Sequence, residues 1–314
     1  MLGFLARRLL VAIPLLVVVS LLVFSLILLV PGDPAVALAG QNPTLQQIAA
    51  VRARLGLDDP FFVQYWHWLS GVLHGDFGKS LFTSQTVASS IAARLPTTLS
   101  LALLALFLAA VAGTILGALA GLHPGTWLDR ILTFGASLGV AIPYFWVGMI
   151  LVLIFSIDHA WLPAVGYVPL TEDPVGWFTH LILPASALAL APAAVVARQT
   201  RASLATVMTE DYVRTARAKG LSPRKVVGKH ALKNAALPVV TAFGLEGNRL
   251  IGGTVVIEQL FALPGLGQLA YQSVFGRDFP MVQGVILVAA ALVLLLNILV
   301  DLSYGYFNPK VRQA

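Results

Sequence analysis

The chain has 314 residues, a formal net charge of +6, no cysteine and a hydrophobic fraction of 58%. Only 11% of the residues are charged, compared with about 25% in a soluble domain, so the charges are too few to cover a soluble protein of this size. The absence of cysteine excludes disulfides and thiolate metal sites. We therefore predict an all-α protein that crosses a membrane several times.

The N-terminal region carries the first predicted span. Leu9–Val30 contains no charged residue and follows Arg7 and Arg8, and it is long enough for a helix to cross about 30 Å of hydrocarbon. A cleaved signal peptide would have an apolar region of only about 7–15 residues. We therefore predict a retained transmembrane helix within residues 1–30, in which Pro14 is tolerated as a kink.

Residues 31–94 are predicted to form a helical segment outside the cytoplasm. Turn signals at 31–34 and 42–43 are followed by Thr44, which is placed to cap a helix that ends at Gly56. Asp58-Asp59-Pro60 then opens a second helix, Phe61–Leu73. Its aromatic density favours a helix at a membrane interface or one packed on other spans, and the aromatic residues include Tyr65, Trp66 and Trp68.

Five further apolar segments are predicted to cross the membrane, at residues 96–122, 131–157, 181–197, 237–257 and 282–300. The first of these five has Gly113, Gly117 and Gly121 at four-residue spacing, a row that lets another helix approach closely. The segment at 181–197 is short and contains Pro184 and Pro192. Together with the N-terminal span these segments give six transmembrane helices. An acidic loop at 158–179 and a polar loop at 258–281 join them on the outside.

The basic residues separate the two sides of the membrane. Nine of the 20 Lys and Arg lie between Arg198 and Lys233, and further ones lie near the ends, at Arg7, Arg8, Lys310 and Arg312. The loop 158–179 has none. Because basic residues gather on the cytoplasmic side, we predict that both termini and the loop 198–236 are cytoplasmic. Residues 95–304 then form a five-helix core that includes this loop, and residues 305–314 form a cytoplasmic tail.

The basic loop is predicted to be two short helices around a turn. Asp211 near the start of the first helix suits the positive end of the helix dipole, and Arg217 suits its negative end. Gly220 is a natural residue for the left-handed position after a helix. Ser222 as N-cap and Pro223 at the first helical position restart the chain. A helix–glycine–helix hairpin of this kind is suited to transmit force as one unit.

Three separated stretches resemble the permeases of ABC importers of the dipeptide/oligopeptide/nickel family. The first is 210–238, which resembles the Glu-Ala-Ala loop that docks onto the ATPase, although the chain reads Thr215-Ala-Arg-Ala218 instead of a literal Glu-Ala-Ala. The second is Leu57-Asp-Asp-Pro with Gly75-Asp-Phe-Gly-Lys-Ser. The third is Glu258-Gln-Leu-Phe-Ala-Leu-Pro-Gly-Leu-Gly with Arg277-Asp-Phe-Pro. The resemblance covers nearly the whole chain and is greatest to the B-type subunit, which has a long outer loop after its first span.

The resemblance implies a type I ABC importer permease that forms half of a translocation path for di- or oligopeptides. The implied partners are a homologous second permease subunit, two ABC ATPase subunits, an extracytoplasmic substrate-binding protein and the membrane lipid, in the plasma (inner) membrane of a prokaryote. This chain would hold no cofactor, because ATP and Mg would be bound by the ATPase subunits. The implied ATPase-coupling residues are Asp211, Tyr212, Thr215, Ala216, Ala218, Gly220, Leu221, Ser222 and Pro223.

Other interpretations of the basic loop and of the cargo stay open at this stage. A solvated basic face attracted to anionic lipid explains the charge of the loop, at about 1 kcal/mol per residue, but does not explain Gly220 or Ser222-Pro223. The same machinery could import a nickel chelate, glutathione or haem. A secondary transporter or channel independent of ATP is an alternative of another class, which more often has paired half-repeats with broken helices.

The sequence offers no catalytic or metal constellation. Gly78-Lys79-Ser80 imitates the end of a phosphate-binding loop, but position 73, where that motif requires glycine, is Leu. The six histidines have no partner at metal-ligand spacing, so a nickel-ligand role for His67 and His74 is the weaker interpretation. No Ser/His/Asp arrangement supplies a nucleophile. The chain is therefore predicted not to be an enzyme.

Glu246 and Arg249 are charged residues inside a predicted span, where a charge needs an explanation. Charged side chains at membrane depth usually face a bundle interior or a water-filled path. At a separation of three residues they can pair on one helix face. The pair is either structural, fixing how the span packs, or a polar lining of the translocation path that meets the two ends of a zwitterionic peptide. Asn248 is a weaker candidate for the same path.

Overall fold

The structure is a computed structural model that describes residues 2–29, 35–36, 44–83 and 85–307. The predicted turns at 31–34 and 42–43, the side chains of Arg7 and Arg8, and residues 308–314 with Lys310 and Arg312 lie outside the described part. Over the described ranges the ordered elements are helices, with one isolated antiparallel bridge between Lys79 and Thr86. The all-α prediction is confirmed.

The helices that organise the described ranges follow one another along the chain and are numbered here in that order. They are α1 Leu2–Leu29, α2 Leu45–Leu55, α3 Phe61–Leu73, α4 Val87–Leu122, α5 Trp127–Ala141, α6 Tyr144–Val152, α7 Pro174–Val207, α8 Asp211–Ala218, α9 Leu232–Leu260, α10 Leu266–Gly276 and α11 Phe279–Phe307. A π-helical turn, Leu153–Asp158, extends α6. A short helical segment, Pro223–Lys225, and a π-helical turn, Val226–Ala231, lead directly into α9.

The helices α2 and α3 form at the positions that the sequence predicts. The Thr44 hydroxyl accepts a hydrogen bond from the Gln47 N–H at 3.3 Å, and the Gln47 side chain accepts one from the Thr44 N–H at 2.8 Å. This reciprocal arrangement is a capping box. Gly56 ends α2 with a φ of 62°, a left-handed conformation that glycine adopts without strain. The predicted helices at 44–55 and 61–73 are confirmed.

Three described helices are long and apolar enough to cross a membrane: Val87–Leu122, Pro174–Val207 and Phe279–Ser303. The pair Trp127–Ala141 and Tyr144–Asp158 makes a fourth if the bent pair is one span, and Leu10–Ser25 is a shorter apolar helix. The helix α9, which carries Glu246 and Arg249, is not among them. The chain is thus built around several membrane helices, and the number of six spans stays a prediction.

The third predicted span is not one straight helix. It breaks between α5 and α6 with a bend of 99°. Ile142, the residue before Pro143, has an extended backbone with φ −78° and ψ 128°, because the proline ring disfavours the helical conformation of the residue that precedes it. The predicted span at 131–157 therefore corresponds to a bent pair of helices that is long and apolar enough for a span only as a pair.

Two further boundaries differ from the sequence-based expectation. The predicted short span at 181–197 lies within a helix of 34 residues, α7, which starts after the cap Asp173 and accommodates Pro184 and Pro192 without ending. The region 258–281, predicted as a polar loop, contains the eleven-residue helix α10, and Glu258 belongs to the end of α9. Packing inside the protein overrides the local proline and polarity signals at both places.

The described chain divides into two compact units. One comprises residues 9–95 and 269–292, and in it α3 packs on α1. The Phe24 ring lies 5.4 to 5.6 Å from the rings of Phe61, Tyr65 and Trp68, and the hydroxyls of Ser20 and Tyr65 are 2.8 Å apart. Phe61, Tyr65 and Trp68 therefore pack α3 on the first helix, whereas Phe62 and Trp66 are exposed.

The second unit comprises the described parts of residues 1–8, 96–268 and 293–314. Its core is formed where α4, α7 and α9 meet, around Leu101, Leu181, Ile257 and Phe261. The glycine row of α4 lets this helix pack closely against α7. A methyl group at Gly113 would lie 2.7 Å from the Ala193 carbonyl oxygen, and methyl groups at Gly117 and Gly121 would likewise lie too close to backbone carbonyl oxygens of α7. The predicted close approach of another helix to this row is confirmed.

Candidate functional site

The first candidate site, in the basic loop, is built around the eight-residue helix α8. Asp211 lies in its first turn and Arg217 in its last turn, as the helix dipole favours. The helix ends at Gly220, whose φ is 77° and whose N–H donates to the Arg217 carbonyl at 2.9 Å. The predicted glycine turn is confirmed, because a residue with a side chain is strained at this φ.

A new helical segment begins at Ser222 and Pro223, but it does not form a separate second helix. Ser222 has the extended backbone of an N-cap, and its carbonyl accepts hydrogen bonds from the N–H groups of Lys225 and Val226 at 2.9 and 3.0 Å. Its side chain makes no capping hydrogen bond. The helical segment that follows passes through the π-helical turn into α9. The predicted restart at Ser222-Pro223 is confirmed, but the second helix is not short, because it continues into the 29-residue helix α9.

One face of α8 is buried in a small apolar cluster. Val213 and Ala216 pack with Val226, and the cluster is completed by Val207, Met208 and Leu221. The opposite face is open: the exposed members of the predicted coupling set are Asp211, Tyr212, Thr215, Ala218, Gly220, Ser222 and Pro223. Ala216 and the half-buried Leu221 therefore support the helix, while the other seven residues form the surface that a partner could contact.

A polar contact also ties α8 to α9. The Asn234 side-chain amide donates to the Tyr212 hydroxyl at 3.1 Å and to the His230 carbonyl at 2.8 Å. Because α8 is attached both by its apolar cluster and by this contact, a force applied to its open face is transmitted to α9. Sequence reasoning missed Asn234, since a single asparagine 22 residues away gives no local signal.

The second candidate site is the charged pair of α9. The Arg249 Nη1 donates to the Glu246 Oε1 at 2.7 Å, which confirms the predicted pairing at i and i+3. The Glu246 side chain is 7% exposed and that of Arg249 is 76% exposed. The carboxylate is thus buried against the protein, and the guanidinium extends onto an open helix face whose other exposed residues are Thr241, Leu245, Gly252 and Val256.

Asn248 lies on the other side of α9, against the last helix. Its side-chain amide donates to the Asn297 side-chain oxygen at 2.7 Å. Gly244 and Gly247 let the two helices meet there, because a methyl group at either position would lie within 3.0 Å of the Val300 or Leu296 side chain. The structure therefore does not place Asn248 together with Arg249 on the open face, and Asn248 fixes the packing of α9 on α11.

Sequence reasoning gave Glu258 no role, although this residue opens one of the family-like stretches. Its carboxylate is completely buried and accepts hydrogen bonds from the Thr98 hydroxyl at 2.7 Å and the Gln268 N–H at 2.8 Å. The Thr98 hydroxyl in turn accepts from the Leu266 N–H at 2.8 Å. Gly265 and Gly267 lie so close to the carboxylate that a methyl group at either position would clash with it. Glu258 thus organises the glycine-rich turn between α9 and α10.

The metal and phosphate candidates find no support in the described residues. Among these residues no group of three or more His, Asp or Glu is placed to hold a metal ion. His67 and His74 are both exposed on or after α3, and the ring of His74 contacts the Ser70 carbonyl. In the Gly78-Lys79-Ser80 stretch, the Ser80 hydroxyl donates to the Asp278 carboxylate, so this stretch is a structural turn within the unit of residues 9–95 and 269–292.

Comparison with known families matches almost the entire chain. Residues 113–313 match the family described as "Binding-protein-dependent transport system inner membrane component". Residues 1–102 match the corresponding N-terminal family of the same membrane components. Both halves of the chain, including α8, the charged pair and the Glu258 turn, therefore fall within regions that the two families describe.

Curated relatives are similar over their full lengths. A putative peptide transport system permease protein of Brucella abortus (strain 2308) is 44% identical over 306 residues, covering 98% of each chain. The glutathione transport system permease protein GsiC of Salmonella choleraesuis (strain SC-B67) is 43% identical over 312 residues, covering 99% of each chain. Among solved structures, an inward-facing MetNI methionine ABC transporter matches with a TM-score of 0.56 at 21% identity, over 69% of this chain and 96% of that chain. The last similarity concerns the fold.

Proposed function

We propose that this chain is a permease subunit of an ABC importer for peptides. The premise is that it belongs to the family of inner membrane components of binding-protein-dependent transport systems. The family makes the chain a membrane component that works with an ATPase and a substrate-binding protein, and not the ATPase itself. Relatives at 40–44% identity that are named as peptide permeases support a peptide cargo.

The observation that carries the coupling proposal is the construction of α8. The open face of this helix includes Tyr212 and Thr215. Its buried face consists of Val213 and Ala216, which fix the helix to the protein. An ATPase subunit would dock on the open face, and ATP and Mg would be bound by that subunit. Movement of the ATPase would shift α8, and the attachment of α8 to α9 would carry the shift to the spans and alternate access across the membrane.

The proposed assembly has two permeases, this chain and a homologous partner, with two ATPase subunits on the cytoplasmic side. Both termini and the basic loop 198–236 lie in the cytoplasm, because nine Lys and Arg lie between Arg198 and Lys233 and the loop 158–179 has none. The outer segments, 31–94 and 258–281, would receive the substrate-binding protein.

In this assembly the open face of α9 would line the path of the cargo. Arg249 presents a guanidinium on that face, and Glu246 holds its position from the buried side. A carboxylate of the passing peptide would be attracted to Arg249, and the interaction must be weak, since tight binding would obstruct release. The role of Glu246 in this proposal is therefore structural, and Arg249 is the residue that meets the cargo.

Glutathione is the second candidate cargo. It is favoured by the 43% identity to a permease named for glutathione transport. Glutathione is itself a small peptide with free carboxylates, so both candidates share the chemistry that Arg249 would attract. The choice between them is made largely by the binding protein.

Reconstitution tests the proposal. The chain would be assembled with two ATPase subunits, a second permease and a binding protein and placed in liposomes that carry ATP inside. We expect uptake of labelled dipeptide or glutathione that requires both ATP and the binding protein. Competition between the two ligands then identifies the cargo. Uptake by the purified chain alone, without ATP, would instead show a secondary transporter or a channel.

A further inference from the structure

The helix α5 is held to the rest of its unit at two points. Of its fifteen residues, only Asp129 and Gly139 are buried. Gly139 is the packing point, where an added methyl group would lie 3.2 Å from the Ala194 side chain of α7. Between the two points an open groove of about 240 Å³ separates α5 from α4 and α7, and its lining includes Leu116, Ile131, Gly135 and Ala193.

The first attachment point is an ion pair with two parallel contacts. Nε and Nη2 of Arg201, on α7, donate to Oδ1 and Oδ2 of Asp129, the second contact at 2.7 Å. Side-chain exposure is 3% for Asp129 and 35% for Arg201. A guanidinium that contacts both carboxylate oxygens fixes orientation as well as distance. By comparison, Arg249 contacts Glu246 through a single nitrogen, and its side chain is 76% exposed.

The carboxylate is also fixed from its own side. The Gly125 N–H donates to Asp129 Oδ2 at 2.9 Å, and the Thr133 hydroxyl donates to Oδ1 at 3.2 Å. The Asp129 N–H donates to the Thr126 hydroxyl, which caps α5. Asp129 is thus built into the start of α5 and the turn before it, and Arg201 is the contact that reaches across to another long helix.

The position of Arg201 along α7 gives this contact a second significance. The helix continues for six more residues, to Val207, and the turn that follows leads straight into α8 at Asp211. The end of α7 is packed by Leu204 against Ala231 and Ala235, at the start of α9. Arg201 therefore lies between the coupling helix and the body of the unit. At its other end, α5 stops at the 99° break before α6, where a displacement can be absorbed.

We propose that Asp129 and Arg201 form a positioning clamp that carries the movement of α8, through the end of α7, into the bent helix pair α5–α6. This proposal rests on the proposed function, because it assumes that an ATPase moves α8. With the clamp in place, α5 follows α7. Without it, α5 keeps its packing point at Gly139 but loses the contact that ties its first turns to the moving end of α7, and ATP hydrolysis proceeds without productive transport.

The test is the ratio of cargo taken up to ATP hydrolysed by the assembled complex in liposomes with its binding protein. We expect Asp129→Asn to assemble and to hydrolyse ATP while this ratio falls about fivefold or more, the lower end of typical coupling between sites. Arg201→Lys, which cannot reproduce the two parallel contacts, should behave in the same way. Arg198→Gln is the matched control: it removes an exposed charge from the same helix, one turn earlier, and should leave the ratio unchanged.

A reversible cross-link distinguishes a positioning role of the Asp129–Arg201 pair from an effect of the substitutions on folding. The chain has no cysteine, so Asp129→Cys with Arg201→Cys can be joined by a reductant-cleavable cross-linker in a complex whose partner cysteines are replaced. The linked complex should couple normally, and cleavage inside the assembled complex should lower the ratio. An unchanged ratio after cleavage, or an equal loss in Arg198→Gln, would overturn the clamp. A wild-type complex without ATP-dependent uptake would overturn the proposed function instead.

Discussion

The Thr98 hydroxyl donates a hydrogen bond of 2.7 Å to the Glu258 carboxylate, across 160 residues of sequence. This contact joins α4 to the end of α9, and the same hydroxyl accepts from the Leu266 N–H. A buried carboxylate is costly unless its oxygens are hydrogen-bonded. Glu258 meets that requirement by arranging Thr98, Gln268 and the glycine-rich turn around itself.

The first prediction concerns this hydroxyl. Thr98→Val keeps the shape of the side chain but removes the donor to Glu258 and the acceptor for Leu266, so we expect a loss of about 2–3 kcal/mol in the free energy of unfolding. Thermal unfolding in detergent measures the change. The control is Thr97→Val, at a neighbouring buried residue whose hydroxyl has no hydrogen bond assigned among the described residues. Equal melting temperatures for the two variants would contradict the assigned role.

The glycine row of α4 gives a second prediction. A methyl group at Gly117 would collide with the backbone carbonyl of Ala197, which cannot rotate away. Gly117→Ala should therefore destabilise the protein by about 1–3 kcal/mol, the usual effect of overpacking. Gly135→Ala, at a helical position with no atom within 4 Å of the added methyl group, should stabilise by about 0.5–1 kcal/mol. Unchanged or increased stability of Gly117→Ala would show that α4 and α7 do not meet at Gly117.

The charged pair of α9 gives a third prediction, which separates its structural role from its proposed transport role. Arg249→Gln leaves the buried Glu246 carboxylate without its guanidinium, so the free energy of unfolding should fall by about 1–3 kcal/mol. Adding Glu246→Gln removes the buried charge and should restore most of the stability. Melting temperatures in detergent measure both effects.

Transport by the double variant then decides the role of Arg249. If the guanidinium meets the cargo, uptake should remain reduced by about tenfold, equivalent to about 1.4 kcal/mol, although the complex is stable again. Leu245→Ala, on the same open face but without charge, is the control for a change of surface shape. Full recovery of uptake in the double variant would make the pair purely structural.

A fourth prediction concerns the buried side of α8. Val213→Ser places a hydroxyl in the cluster with Ala216 and Val226 and should loosen the helix without altering its open face. We expect weaker ATPase attachment and a loss of about 1–3 kcal/mol in stability, because an unpaired polar group is buried. Arg214→Ser, the next residue and an exposed one, is the matched control. The ATPase subunit retained in detergent and the melting temperature measure the two effects, and equal losses in Arg214→Ser would contradict the role of the buried side.

Local signals predicted the ends of elements well. The Thr44–Gln47 capping box, the left-handed Gly56 and the left-handed Gly220 all form where short sequence patterns place them. These features depend on neighbouring residues and on the conformational freedom of glycine. The glycine row of α4 was equally readable, since its spacing places three missing side chains on one helix face.

The positions of proline residues did not predict where the helices break. Pro14, Pro184 and Pro192 lie inside continuous helices, whereas the chain breaks at Pro143 with a bend of 99°. The residue type is the same at each position, so packing decides whether the helix survives. The sequence also did not predict which distant residues pair in the fold, since Thr98 lies 160 residues from Glu258 and Asp129 lies 72 residues from Arg201. No periodicity in one sequence can pair them.

The proposed coupling role of α8 is tested most directly by how much ATPase subunit stays with the purified complex in detergent. Gly220 has a φ of 77° and open space where a side chain would begin, so Gly220→Arg should strain the turn and block the docking face. Lys225→Gln, also exposed and five residues on, changes charge alone. We expect Gly220→Arg to lose most of the ATPase subunit while Lys225→Gln retains it. Full retention by Gly220→Arg would contradict docking at α8.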